Sequence, residues 1–513
     1  MRTILSGWLC LMAFPLLFGQ ADKKSLTATK TEINIKIDGI LDEAVWDDTD
    51  RAEGFVTRRP EPGLPASQAT SVSVIYSDQG LYVGARLYDT APDSILNELT
   101  DRDNLGNTDF FGIIVDPYQS GFNGFEFLTT PGEVQFDAKA VPNGEDTNWD
   151  AVWSTKSTIT QDGWVVEMFI PFSALRFPKT AIQEWDLNFV RMIRRTGEQS
   201  FWSEIKPEID GFMNQAGKLT NIRDIKAPFR LQLTPFATAA GAMSNTPGEV
   251  DPKSFGNSFG GGMDLKLGLS DAFTLDMTLI PDFSEARSDD NILNLGPFEQ
   301  RFDEQRAFFT EGTELFNKGG FFYSRRVGGS LFRLGDAYDD LADDEEVASV
   351  PGKAQLVNAT KISGRTSNGT GIGFFNAIEK RSFATITNDK GESREVLVNP
   401  RTNYNVLVVD QNLPNNSSVT LINTNVMREG NSTDANVTGL VYDIHNKQNK
   451  YSVRGKFGYS QRFTEGNNET GHVANVRIQK ISGNLQWHLG YNEESDTYNP
   501  NDLGILFNNN ERS

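Results

Sequence analysis

Met263-Asp264-Leu265-Lys266-Leu267-Gly268-Leu269-Ser270 alternates an apolar residue with a polar or small one at every step. A period of two places successive side chains on opposite faces of an extended chain, so the stretch reads as a strand with one apolar face. The next stretch repeats the pattern: Phe273, Leu275, Met277 and Leu279 oppose Thr274, Asp276 and Thr278. Tyr451, Val453, Phe457 and Tyr459 later alternate with Ser452, Arg454, Lys456 and Ser460, and Leu485, Trp487, Leu489 and Tyr491 oppose Gln486, His488 and Asn492. Strands of about ten residues with one apolar face are what a membrane β-barrel requires, because lipid wets the outside and water the lumen. A soluble sandwich has the same period. Strand length and the long polar loops between strands favour an antiparallel outer-membrane-type barrel over residues 229–513.

Two segments interrupt that pattern. Residues 336–346 hold seven acids in eleven positions and read as a solvated loop. Residues 285–328 carry Phe298, Phe302, Phe308, Phe309 and Phe316 among charges. Such a segment either folds inside the lumen as a plug or cap, or is an ordinary long loop. About eleven strand candidates follow Phe229, whereas single-chain bacterial barrels are even-stranded as a rule. The chain stops in the polar run Asn508-Asn509-Asn510-Glu511-Arg512-Ser513, with no aromatic-ended strand. The expectation is a barrel lacking its last strands.

Upstream, the strands shorten. Over residues 22–226, Ile33, Ile35 and Ile37 alternate with Asn34, Lys36 and Asp38, and Leu81, Val83, Ala85 and Leu87 alternate with Tyr82, Gly84, Arg86 and Tyr88. Pro131-Gly132 and Asp162-Gly163 sit between strand-like runs, as turns do. After the second turn Trp164, Val166, Met168 and Ile170 share a face. Repeated short strands with turn signals predict a β-sandwich. The chain is therefore expected to be all-β throughout.

The first residues read as an export signal, residues 1–21. Arg2 precedes an apolar run over residues 4–18, and Gly19-Gln20-Ala21 supplies small residues at a cleavage site. The run is shorter than the roughly 20 residues of a spanning helix. Cys10, the single cysteine, lies within it, so the mature chain has no disulfide or cysteine nucleophile. The histidines are His445, His472 and His488, which excludes a histidine triad or zinc site before residue 445. With 69 acids against 48 bases and a net charge of −21, nucleic acid is a poor partner, because phosphate binding needs clustered Lys and Arg.

Ile37-Asp38-Gly39-Ile40-Leu41-Asp42-Glu43, followed by Ala44-Val45-Trp46, resembles the opening signature of family 9 carbohydrate-binding modules. Gly163-Trp164-Val165-Val166-Glu167, Ile170-Pro171-Phe172-Ser173-Ala174-Leu175 and Trp185-Asp186-Leu187-Asn188-Phe189-Val190-Arg191 continue the resemblance in order. The segment from Phe298-Glu299-Gln300-Arg301-Phe302 to Phe322-Tyr323-Ser324-Arg325-Arg326 resembles a group of outer-membrane proteins of uncharacterised function. In that group such a module precedes a TonB-receptor-like barrel.

Trp46 and Trp164 lie among apolar neighbours and are expected in the core. Trp149 and Trp153 flank a polar loop with Asn148 and Asp150. Exposed aromatics there would stack on the C–H faces of sugars while polar neighbours bond their hydroxyls. The other reading is that they cover the sandwich edge. Members of the resembled family hold sugar between tryptophans. Trp202 is a further candidate, with Arg191 and Asn148 as hydroxyl donors, although arginines here also have acids to pair with. Asp109, Asp116 and Glu167 are candidate ligands for a structural calcium, against a solvated or capping role. No other cofactor is implied.

The expected function is that of an exported outer-membrane surface protein that binds polysaccharide or oligosaccharide and takes part in its capture or catabolism, with outer-membrane lipid around its barrel. One alternative is a glycoside hydrolase with a targeting module, although no two acids are visibly paired across a sugar site. The other is a transport or secretion component whose front domain has no sugar affinity.

Overall fold

The computed structural model describes residues 23–506, apart from residues 122, 142–143, 148, 210, 227, 246–252, 271, 282–292, 294–298, 303, 305, 311, 340 and 367. The expected export signal, Asn148, Phe298 and the final polar run lie outside the described residues. Among the described residues the fold is nearly all β, in four sheets.

Two of these sheets, of nine and five strands, form the front sandwich. In the smaller sheet Thr70–Tyr76, Gly80–Tyr88, Gly163–Pro171 and Ser154–Thr160 pair antiparallel in spatial order. The apolar sets Leu81, Val83, Ala85, Leu87 and Trp164, Val166, Met168, Ile170 all point into one core, where they meet Phe111, Ile113, Val115, Phe127, Leu187 and Phe189 from the larger sheet. The turns at Pro131-Gly132 and Asp162-Gly163 connect antiparallel neighbours as expected.

The isoleucines at 33, 35 and 37 alternate but form no strand. Only Ile35 is fully buried, against Trp46, Ile75 and Tyr82 on the outside of the smaller sheet. The backbone there bonds side chains in place of a neighbouring strand: the Lys36 amide donates to the Glu43 carboxylate. The chain enters the sandwich by crossing between its sheets. Ser25–Thr27 pairs in parallel with Gly217–Arg223, the last strand of the domain, and Thr29–Lys30 pairs in parallel with Thr70–Tyr76.

Glu126 is buried on the opposite face of the larger sheet, beside Ile114 and Ala138 on adjoining strands. Burial, then the nearby charge of Glu145, pushes its carboxyl up to about 8. The folded state thus holds a proton that the unfolded state releases near pH 4.3. Its favourable contribution is complete below that value and is lost as pH rises through the window up to about 8. Glu126→Gln is expected to flatten the fall in melting temperature between about pH 5 and about pH 8. An unchanged slope in thermal melts would show that the carboxyl is ionised in the native protein.

The second region is an eleven-strand antiparallel sheet in which every strand pairs with the next along the sheet. It begins at Leu231–Asn245 and ends at Trp487–Glu494. Those two strands are not paired with each other among the described residues, and no closed barrel is seen there. One face carries a row of direct cross-strand neighbours, Ile372, Val409, Leu421, Leu440 and Phe457. These side chains are between 38% and 52% exposed. The opposite face is covered by part of the aromatic-rich segment that precedes residue 328: Phe309, Phe316, Phe321 and Phe322 cluster with Phe375, Val406, Ile422 and Val437. Phe321 lies directly over the cross-strand pair Gly439 and Gly458, where a β-carbon on either glycine would collide with its ring.

The acid-rich residues 336–346 are not simply a solvated loop. Asp336–Asp339 is a short helix, and Glu345–Ser349 joins a three-stranded sheet with Ser382–Asn388 and Ser393–Asn399. Ala337 anchors the helix against Leu331, Ala354, Ala384 and Val398. Arg394 pairs with Glu345 at 2.8 Å and holds its carboxyl down at about 2.

Candidate functional site

Residues 149–153 run between Gly144–Asp146 and Ser154–Thr160. Asp137, fully buried on Gln135–Val141, accepts from the Ala151 amide at 2.6 Å and from Trp153 Nε1 at 3.0 Å, and pairs with Arg102. With its donors satisfied from within, the loop turns its indoles inward. Trp153 meets Phe127 edge-on at 5.5 Å, and Trp149 packs on Phe125 at 5.1 Å and Phe127 at 5.8 Å. The structure corrects the expectation of exposed stacking platforms: Trp149, Trp153 and Trp202 are at most 6% exposed. Trp202 packs on Phe189 at 5.8 Å, with no room for a β-carbon at Gly217 beside it.

Arg191 is corrected in the same way. It is 1% exposed, and its terminal nitrogens donate to Ala69 O at 2.9 Å, Thr70 Oγ1 at 3.0 Å and Tyr88 O at 2.7 Å. The guanidinium projects from the larger sheet onto the smaller one and fastens the two together. Burial lowers it to about 10. It is a structural clamp, with no terminal donor turned to solvent.

Asp109, Asp116 and Glu167 each hold a different piece of backbone. Asp109 accepts from the Arg194 amide at 2.9 Å, and Asp116 from the amides of Tyr118 and Ser120 at 3.0 and 2.6 Å. Glu167 accepts from the amides of Asp38 and Gly39 at 2.9 and 2.8 Å. Among the described residues no cluster of three acids, histidines or cysteines is placed to hold a metal. The Glu167 contact also ties together two of the signature runs, the one that opens at Ile37 and the one that opens at Gly163. The turn at Gly39 needs its positive φ of 82°, which favours glycine, and Glu167 fastens that turn onto the sheet.

A cavity of about 260 Å³ opens where the front sandwich meets the second region. Phe125 and Trp149 contribute from the sandwich, with Asp150 and Arg176, while Phe229 and Gln232 contribute from the other side. Among the described residues Trp149 is the expected site residue that lines this cavity. The aromatic that offers a face to solvent is Phe229, 79% exposed. Sequence reasoning passed over Phe229, Phe125, Arg176 and Gln232. The available signal was an isolated aromatic in the boundary run Ala227-Pro228-Phe229-Arg230, where no strand periodicity accounts for it. Asp150 is the single carboxylate lining the cavity among the described residues, so the paired acids of glycoside hydrolysis are not assembled there.

Residues 227–513 match the model of a family described as a domain of unknown function (DUF5916). No curated protein matches the chain. Among solved structures, the chain is similar to a family 9 carbohydrate-binding module from Caldicellulosiruptor kristjanssonii in complex with cellotriose, at 14% identity and a TM-score of 0.29, over 38% of this chain and 93% of that one. It is also similar to a putative carbohydrate-binding protein from Bacteroides uniformis, at 15% identity and a TM-score of 0.32, over 39% and 99% of the two chains. A third similarity is to OmpT, an outer membrane protein of Vibrio cholerae, at 11% identity and a TM-score of 0.23, over 56% and 92%.

Proposed function

The chain belongs, through residues 227–513, to the family described as a domain of unknown function (DUF5916), and from that premise we propose that it captures carbohydrate at a membrane surface. The observation that carries the reading is the junction cavity. It joins an exposed aromatic face, Phe229, to the charged and amide side chains of Asp150, Arg176 and Gln232. Sugars need that pairing, an apolar face for their C–H surfaces and hydrogen-bonding groups for their hydroxyls. A volume near the low end of small-molecule sites suits a single sugar unit at a chain end. The resemblance of the front domain's signature runs to carbohydrate-binding modules points the same way.

Affinity is expected to be weak, roughly 0.1–1 mM, because a small ligand buries little area and ordering costs offset much of its contact energy. Phe229→Ala is expected to weaken cellotriose binding at least about tenfold, the loss of one stacking face. The melting temperature should not move, since an exposed side chain contributes little to stability. Calorimetric titration alongside a thermal melt checks both. Unchanged binding in the variant places the sugar elsewhere.

Membrane attachment rests on the exposed apolar row in the second region. Soluble surfaces rarely present a contiguous apolar band of this kind, and a strand wall facing lipid requires one. Protein made with its N-terminal segment is expected to fractionate with outer membrane, resist carbonate extraction and migrate differently on gels before and after heating. Recovery as a soluble periplasmic protein would defeat this part of the reading.

A further inference from the structure

The second region holds a larger cavity of about 1040 Å³ that the carbohydrate reading does not use. Its walls come from residues between 299 and 332, from Tyr404, Arg428 and Arg462 on three strands, and from the stretch containing Asn499 and Asp502 beyond the last strand. Among the described lining residues six are basic, Arg306, Arg325, Arg326, Lys353, Arg428 and Arg462, against the acids Glu299, Glu304 and Asp502. That excess is the reverse of the whole chain, whose net charge is −21.

The guanidinium groups are held in place. Arg306 forms a twin bond to Glu304, 2.7 Å on each arm. Asp502 is shared by two arginines, Arg428 at 2.8 Å and Arg462 at 3.0 Å, and Arg462 also lies 3.8 Å from Glu469. Arg428 stacks 4.0 Å from the ring of Phe332, and its buried Nε has no hydrogen-bond partner. Arg326 lies 5.7 Å from Tyr323, and Arg325 lies 5.9 Å from Phe302. Phe302, Tyr323 and Phe332 already carry cations and Tyr404 is buried, so a flat base has little to stack on. Recognition is left to fixed charged donors, whose bidentate geometry suits carboxylates.

We infer that this cavity binds an acidic oligosaccharide, a hydroxyl-rich ligand bearing carboxylates. Charge selects the carboxylates, the volume exceeds that of a lone inorganic anion, and amides such as Asn499 and Gln300 at its rim suit hydroxyls. The site is separate from the junction cavity and does not depend on sugar binding there.

The test uses the full chain in detergent, titrated with trigalacturonate, cellotriose and inorganic phosphate. Trigalacturonate is expected to bind, and to weaken at least about tenfold as salt rises from about 0.01 M to about 1 M, across which the Debye length falls from about 30 Å to about 3 Å. Arg325→Gln is expected to weaken it about tenfold, the loss of a charged hydrogen bond. Lys353→Glu, at an exposed position, is expected to act in the same direction and guards against misfolding of the first variant. Phe229→Ala should leave trigalacturonate binding intact while weakening cellotriose binding, which separates the two cavities. The inference is overturned if phosphate binds as tightly as trigalacturonate, if cellotriose competes for the same site, or if neither charge variant changes the affinity.

Discussion

Trp185→Ala lowers the stability of the front sandwich by about 3–5 kcal/mol, the cost of removing a large buried aromatic and leaving a cavity. The side chain is fully buried, with Phe177 at 5.8 Å and Phe172 at 6.4 Å, and its Nε1 donates to the Gln183 side chain at 3.1 Å. Two aromatics from a neighbouring loop rest on it and brace each other edge-on at 5.4 Å, which holds both rings where they are. The cavity therefore closes poorly, which places the loss toward the upper end of the range. Trp185→Phe keeps much of the volume and is expected to recover more than half of the stability. Denaturant unfolding followed by tryptophan fluorescence measures both variants. A loss below about 1 kcal/mol in the alanine variant would mean that the site collapses around the missing ring.

Arg191→Ala is expected to cost a similar amount, about 3–5 kcal/mol, for a different reason. The buried guanidinium satisfies two carbonyls and a hydroxyl that belong to the facing sheet. Removing it leaves the oxygens of Ala69 and Tyr88 without that donor and takes a nearby positive charge from Asp89, which keeps its twin bond to Arg195 at 2.8 and 2.7 Å. Lysine does not restore the clamp, because a single ammonium cannot span the positions of the planar fork. Arg191→Lys should therefore remain well below the parent in thermal melts. If either variant instead melts like the parent and loses cellotriose binding, Arg191 touches the sugar and the clamp assignment is wrong.

Much of the front domain was legible because side-chain period decides which face of a strand is buried. Leu81 to Leu87 and Trp164 to Ile170 land on the inner face, as their alternation implies. Period does not say what lies beside a strand. Ile33, Ile35 and Ile37 have the right alternation, yet their backbone finds side-chain partners in place of a ladder. The tryptophans at 149 and 153 show the same limit from the other side. A polar loop reads as exposed until Asp137, distant in sequence, is seen to accept its donors. Phe229 carried the opposite signal, an aromatic with no periodic reason to be there, and it lies at the junction cavity. In the second region the apolar face was readable strand by strand. Its continuity across five strands depends on register, which only the structure supplies.

The parallel pairing of Ser25–Thr27 with Gly217–Arg223 sets a timetable. Ser25 lies opposite Lys218, so the edge of the larger sheet waits for nearly the whole domain to be synthesised. A ribosome delivers the N-terminus first, and loop closure over such a separation is slow compared with local hairpins. The hairpins of the smaller sheet can form early, while the first strand has no neighbour. Until the last strand arrives, Leu26 and the row of backbone groups around it are an open edge, the kind of surface on which chains mispair. The domain is thus sealed by its two ends together, and a delay in delivering residues 217–223 exposes the residues made first.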